Sequence, residues 1–195
     1  MPEPNSRQRI LDAALALFAR DGASAPSLRR IGAEAGLHNS SLFHHFRGKD
    51  AIHDALAEGV LAATAARLAP LGREGAPQLP DLIGALGDLA EHWAERPAEA
   101  NFVASALLAG DSAALAPARV RAERALLEPI WRWLVRARDA GEIRRVQPRA
   151  ATLQLVGLVL LEPALGGGGG PGGLRPAARA RRRELDVWIR GALGR

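Results

Sequence analysis

The chain has 195 residues, enough for one large or two small cores, and its 26 Lys/Arg against 21 Asp/Glu give a formal net charge of +5. It contains no cysteine, which excludes a disulfide framework, a thiolate nucleophile and a sulfur metal site. Met1–Gln8 is polar, and the longest apolar run, Leu155–Leu161, falls far short of the ~20 residues that span a bilayer. The expectation is therefore a soluble cytoplasmic protein without a signal peptide.

The basic excess is not where a reading head would need it. Residues 1–52 hold seven Arg/Lys and five Asp/Glu, whereas residues 174–195 hold seven and two. Net charge alone points to the wrong end of the chain.

In chain order, a first helix is capped by Asn5 or Ser6 and carries Ile10, Leu11, Ala14, Leu17 and Phe18 on one face, ending at Asp21-Gly22. Ser27 caps a second helix that runs to about Glu34 and is buried through Leu28 and Ile31. Ala35-Gly36-Leu37 makes a tight turn, with Gly36 free to take positive φ. A very short third helix spans about Asn39–His45, and a fourth runs from Lys49 to about Leu68. Pro70–Pro80 reads as a loop. Further helices are expected at Leu82–Glu95, Pro97–Ala109, Ala118–Ala140, Pro148–Leu165 and about Pro176–Leu193, with a flexible glycine-rich loop at Gly166–Gly173. Pro129 falls inside the Ala118–Ala140 segment and withholds a hydrogen bond from the carbonyl of Ala125. No period-2 alternation is long enough for a strand, so the fold class is all-α.

The residues that carry chemistry cluster near the start. Leu37, Leu42 and Phe46 brace the short third helix and leave Asn39, Ser40, Ser41 and His44 on or near its exposed side. Asn pairs bidentately with adenine, and Ser is an adaptable partner for either base edge. His38 and His44 can reach bases or phosphates, and His45 serves packing or a phosphate. Lys49 and the free N–H groups at the start of the fourth helix suit a phosphate, as do Ser27 and Arg29 at the start of the second. This is how a helix-turn-helix presents a reading head to the major groove.

These residues resemble the DNA-binding domain of the TetR (tetracycline-repressor) family of bacterial transcription regulators. The likeness runs through Ile10-Leu11-x-Ala13-Ala14-x-x-Leu17-Phe18, Gly22, Ser27-Leu28-x-x-Ile31-x-x-x-Ala35-Gly36-Leu37 and Leu42-Phe43-His44-His45-Phe46-x-x-Lys49. It covers about a quarter of the chain, residues 9–52; the remainder matches in length and all-α character. The chain departs from the family pattern at three places. His38 and Asn39 stand where Ser and Lys are common, and Asn39 takes over as helix cap. Phe43 stands in a DNA-facing place where Tyr is frequent. Gly32 replaces Ala at a cost of ~1 kcal/mol in helix propensity.

The resemblance implies a DNA-binding domain over residues 1–52 and a helical effector-binding and dimerisation domain over 53–195. It further implies a repressor that binds a palindromic operator as a homodimer and is released by a small, mostly apolar effector. Trp93, Phe102 and Trp131 are the candidate effector contacts; Trp131 and Trp133, two apart on a helix, face different sides. Apolar residues almost all round Ala151–Leu161, and the stripe Leu185, Trp188, Ile189 and Leu193, suit a dimer interface. No cofactor is expected. His44-His45 and His53 make no tetrahedral metal set, Ser40-Ser41 near His44 lacks a carboxylate orienter, and the glycine run at 166–170 lacks the Lys-Ser/Thr of a phosphate loop. Arg175, Arg179, Arg181, Arg182 and Arg183 read as a solvated helix start. Two other readings stay open: a DNA-binding regulator without a small-molecule effector, and an enzyme or interaction protein on the same fold.

Overall fold

Helix formation begins where the sequence supplies a cap. In the computed structural model, which describes residues 5–21, 26–108, 116–165 and 178–194 and not the side chains at 21, 39, 161–165 and 178–181, the Asn5 side chain accepts the Gln8 N–H at 2.9 Å. From there α1 (Ser6–Asp21) buries Ile10, Ala13, Ala14 and Leu17. Ser27 Oγ accepts the Arg30 N–H at 3.3 Å and starts α2 (Leu28–Ala35). That helix ends on Gly36 at φ 64°, with Gly36 N–H bonded to Ala33 O and Leu37 N–H to Gly32 O. This is a Schellman stop, which needs a left-handed residue after the last helical one.

Gly36 is doubly constrained, because a Cβ there would lie 3.1 Å from Arg9 Nη2. Gly36→Ala is expected to lower the unfolding free energy by about 1–2 kcal/mol through the left-handed backbone alone. Chemical denaturation checks this, and a loss below a few tenths would contradict it.

A short helix, α3 (Asn39–His45), and a long one, α4 (Lys49–Leu68), follow. The α3 cap is His38, whose side chain makes no capping bond, so the expected transfer of the cap to Asn39 does not occur: Asn39 is already the first helical residue. The helix is held by its buried side, Leu42 and Phe46, rather than by its cap. α4 continues past residue 52 without a break, burying Ile52, Leu56, Ala57, Val60 and Leu61.

The expected 70–80 loop is shorter at both ends. A 3-10 turn covers Ala69–Gly72, and α5 (Leu79–Glu95) starts early because Pro80 fits its first turn. α6 (Pro97–Leu107) follows after a corner at Arg96. The expected Ala118–Ala140 helix is three pieces: α7 (Ala116–Ala122), a π-helical segment at Glu123–Leu127, and α8 (Glu128–Asp139). The widening lies where Pro129 has no N–H for the Ala125 carbonyl; the Glu128 N–H reaches back to Glu123 O instead. α9 (Pro148–Leu165) and α10 (Ala178–Leu193) complete the chain. The expected glycine-rich loop, the proposed stop at Gly22 and the start at Pro176 lie outside the described residues. No strand occurs among the described residues.

One continuous apolar core joins the N-terminal helices to the rest, α1 packing on α2, α4 and α6. α5 lies between α9 and α10. The α10 stripe is not a free face: Leu185, Ile189 and Leu193 are buried within the chain, and Trp188 packs on the same core. Nor is Arg182 simply solvated, since its guanidinium donates to Asp88 Oδ1 of α5 at 2.7 Å and lies 3.6 Å from Glu91. Among the described residues, the large apolar side chains left exposed on these last helices are Leu153 and Leu158 of α9 and Val187 of α10.

Candidate nucleic-acid interface

The exposed surface of α3 is what the packing of Leu42 and Phe46 leaves over. His38, Ser40, Phe43, His44 and His45 are exposed, Phe43 by 56 %, and Ser41 is half-buried. The Asn39 side chain lies outside the described residues. His44 and His45 meet edge to face with ring centroids 5.5 Å apart. No group of three or more His, Cys, Asp or Glu that could hold a metal ion occurs among the described residues.

Two arginines that sequence reasoning passed over hold the turn before this helix and its far end. Arg9 of α1 reaches the end of α2 and donates to Ala35 O at 2.6 Å, neutralising carbonyls that the helix leaves unpaired. Arg7 sits over the Phe46 ring, 5.2 Å from its centroid, and closes the far end of α3. Neither role could be found from local spacing, because each partner lies more than 25 residues away in sequence.

Flanking α3 are the expected phosphate contacts. Lys49 is exposed in the first turn of α4, and Ser27 and Arg29 are exposed at the start of α2. The Ser27 oxygen already serves as the α2 cap, which leaves its O–H free to donate. The structure thus brings Ser27, Arg29, His38, Ser40, Phe43, His44, His45 and Lys49 to exposed positions on α2, α3 and the start of α4.

The candidate effector contacts are not brought together. Trp93 is fully buried, and its Nε1–H has no acceptor among the described residues. Phe102 is buried against Phe18 of α1 (6.0 Å between centroids) and His53 of α4 (5.2 Å). Trp131 is 45 % exposed while Trp133 is 1 % exposed, so the two do face different sides. Trp131 borders two grooves, of about 600 Å³ and 510 Å³, that neither Trp93 nor Phe102 lines. A buried polar corner that the sequence reading missed joins α5 to α6: His92 Nε2 lies 2.7 Å from Glu99 Oε2, and Arg96 donates to Glu99 Oε1 at 3.1 Å.

Phe18, His53 and Phe102 form the seam between the N-terminal helices and the rest. Burial lowers the His53 pKa below its ordinary 6.5 and Arg121 adds to this, against the opposing pull of Asp54 and Asp50. Because the folded state favours the neutral ring, its contribution to stability is complete above pH 6.5. It is lost as pH falls from there towards the depressed folded value. The expected result is a falling denaturation midpoint over that window in the parent protein and a flatter profile in His53→Leu; identical profiles would contradict it.

An all-helical chain that presents a short exposed helix on two bracing helices, with cations at the flanking helix starts, belongs to the helix-turn-helix class. Residues 10–56 match the family model described as "Bacterial regulatory proteins, tetR family". Residues 10–56 thus carry a domain of that family. A curated relative, the HTH-type transcriptional repressor Rv1474c of Mycobacterium tuberculosis, is 37% identical over 83 residues, 43% of this chain and 40% of the relative. The match thus spans well under half of that relative's length. The solved structure of the ketosteroid transcriptional regulator KstR2 of Mycobacterium tuberculosis superposes with a TM-score of 0.76 at 22% identity, covering 97% of this chain and 96% of that one. AibR, solved in complex with isovaleryl coenzyme A and operator DNA, superposes at 0.74 with 17% identity over 97% and 99%. At these identities the structural likeness carries the fold. No helix among the described residues is long and apolar enough to cross a membrane.

Proposed function

We propose that the protein is a cytoplasmic, sequence-specific DNA-binding transcriptional repressor of palindromic operators, released by a small, mostly apolar effector. The observation that carries the reading is the reading head itself: a short helix locked by Leu42, Phe46, Arg7 and Arg9, with its polar and aromatic side chains turned outward. Base contacts fall to Asn39, Ser40, Ser41, Phe43 and His44, and phosphate contacts to Ser27, Arg29, His38, His45 and Lys49. Residues 1–52 act as the head and 53–195 as the effector and dimerisation part.

A homodimer places two heads about one helical turn, ~34 Å, or a small multiple apart. Exposed Leu158 and Val187 support a dimer face on α9 and α10, in place of the stripe that is already buried. Effector binding shifts the population of core arrangements, and any movement of α6 against α1 must repack Phe18, His53 and Phe102. A fold relative solved with both an acyl-coenzyme A and its operator supports joining the two activities in one chain. Among the three aromatic candidates, Trp131 is favoured as an effector contact because it borders open grooves.

Lys49→Ala tests the phosphate side of this reading. The side chain is exposed and has no hydrogen bond or ion pair among the described residues, so stability is expected to be unchanged. Affinity should fall for all DNA sequences alike, with the salt slope reduced by about one per head. A slope equal to the parent's in a salt titration of DNA binding would remove Lys49 from the interface.

A further inference from the structure

The two grooves beside Trp131 share Arg124 and differ in what their other cations are doing. In the larger one, between the end of α4 and α8, Arg136 is committed to the carbonyls of Leu71 and Arg73 at 2.6 and 3.0 Å. Arg132, in the same groove, is paired with Glu128. The smaller groove, about 510 Å³, runs between the π segment and the start of α9. Its carboxylates are matched, Glu128 by Arg132 and Glu123 by Arg119 at 3.8 Å. Its two lining cations, Arg124 and Arg149, are exposed and have no ion pair or hydrogen bond among the described residues.

Arg149 is also badly placed for its own helix. It sits in the first turn of α9, which holds no acidic residue, so its charge faces the positive end of the helix dipole. Arg124 sits on the π segment, where the extra residue per turn widens the groove wall. The two arginines share the groove with an apolar lining of Trp131, Leu127, Leu153 and Val120, of which Trp131, Leu153 and Val120 are exposed. Two uncompensated guanidiniums over an apolar floor of ligand size describe one kind of guest.

We infer that this groove binds a small amphipathic carboxylate, its anionic end held by Arg124 and Arg149 and its apolar body laid on Trp131, Leu127 and Leu153. The inference rests on the proposed reading of residues 53–195 as an effector-binding part and deepens it by naming the effector's chemistry. Guanidinium supplies paired N–H donors that match a carboxylate, and the indole face and aliphatic side chains cover a hydrocarbon or aromatic body.

The test uses the whole protein without DNA, titrated with decanoate and with 2-naphthoate, and with 1-decanol as the uncharged control. Intrinsic tryptophan fluorescence and thermal shift are read together. At least one carboxylate should give a saturable change in both, and Trp131→Phe should remove most of the fluorescence change while leaving the thermal shift. Loss of both charges in Arg124→Gln/Arg149→Gln should weaken carboxylate binding by at least about tenfold, the equivalent of one charge-assisted hydrogen bond. Decanol should bind the parent protein more weakly than decanoate. Binding of neither carboxylate, or equal binding of carboxylates to the parent and the double variant, overturns the inference. A shift from dimer to monomer on sedimentation of Leu153→Glu also overturns it, since a second copy would then cover the groove. Operator binding is not part of the readout, so a failure here and a failure of the DNA-binding reading are separately visible.

Discussion

Phe46→Ala is expected to abolish operator binding while leaving the distant helices folded. Phe46 is 5 % exposed and carries the Arg7 guanidinium on its ring, so it closes the end of α3 from both sides. Truncating a buried Phe to Ala costs about 3–5 kcal/mol. That is a large part of the stability of a whole domain, about 5–15 kcal/mol, and it falls on a helix of seven residues whose cap makes no side-chain bond. Local opening of α2 and α3 should follow, seen as lost hydrogen-exchange protection there with protection retained in α5 and α9. Phe46→Leu, which keeps most of the volume, should bind DNA close to normally. Full operator affinity in Phe46→Ala would show that α3 does not need this brace.

Ser40→Ala/His44→Ala has the second largest expected effect, and its character is opposite. Both side chains are exposed and lie one turn apart on α3, so removing them leaves the core untouched. Each good base contact is worth about 1–3 kcal/mol of discrimination, and both heads of a dimer lose it together. Specific operator affinity should fall by about a hundredfold or more at unchanged thermal stability, with binding to unrelated DNA nearly as before. Competition binding against operator and random duplex checks both halves. An equal loss on both sequences would make these residues phosphate contacts instead.

The two predictions separate what holds α3 from what α3 reads, and much of that division was legible in the sequence. Ser27, Gly36, Leu42 and Phe46 do what their chemistry and spacing imply, because caps, tight turns and apolar faces are local properties. Trp131 and Trp133 likewise face apart as residues two apart on a helix must. What escaped was set by distant partners. Arg9 is bonded to a carbonyl 26 positions away, and Arg182 reaches an aspartate 94 positions away. The Phe18–His53–Phe102 seam joins three helices. Apolar periodicity on α10 correctly marked a buried stripe but could not say whether its own chain or another would bury it; α5 does. The π segment had a local sign in Pro129, since a missing N–H must be accommodated somewhere in the preceding turn. The His92–Glu99 pair had one too, two titratable residues on either side of a helix break at Arg96-Pro97.

The measurement that bears most directly on the central claim is a selection of genome fragments by the purified protein at fixed salt, followed by sequencing of the bound DNA. The proposed reading predicts recovery of a palindrome whose half-sites lie about one helical turn, or a small multiple, apart, and its loss from the selection when Ser40→Ala/His44→Ala replaces the parent protein. Recovery of nothing above background by protein shown to be folded, or of fragments without a shared sequence, would contradict it.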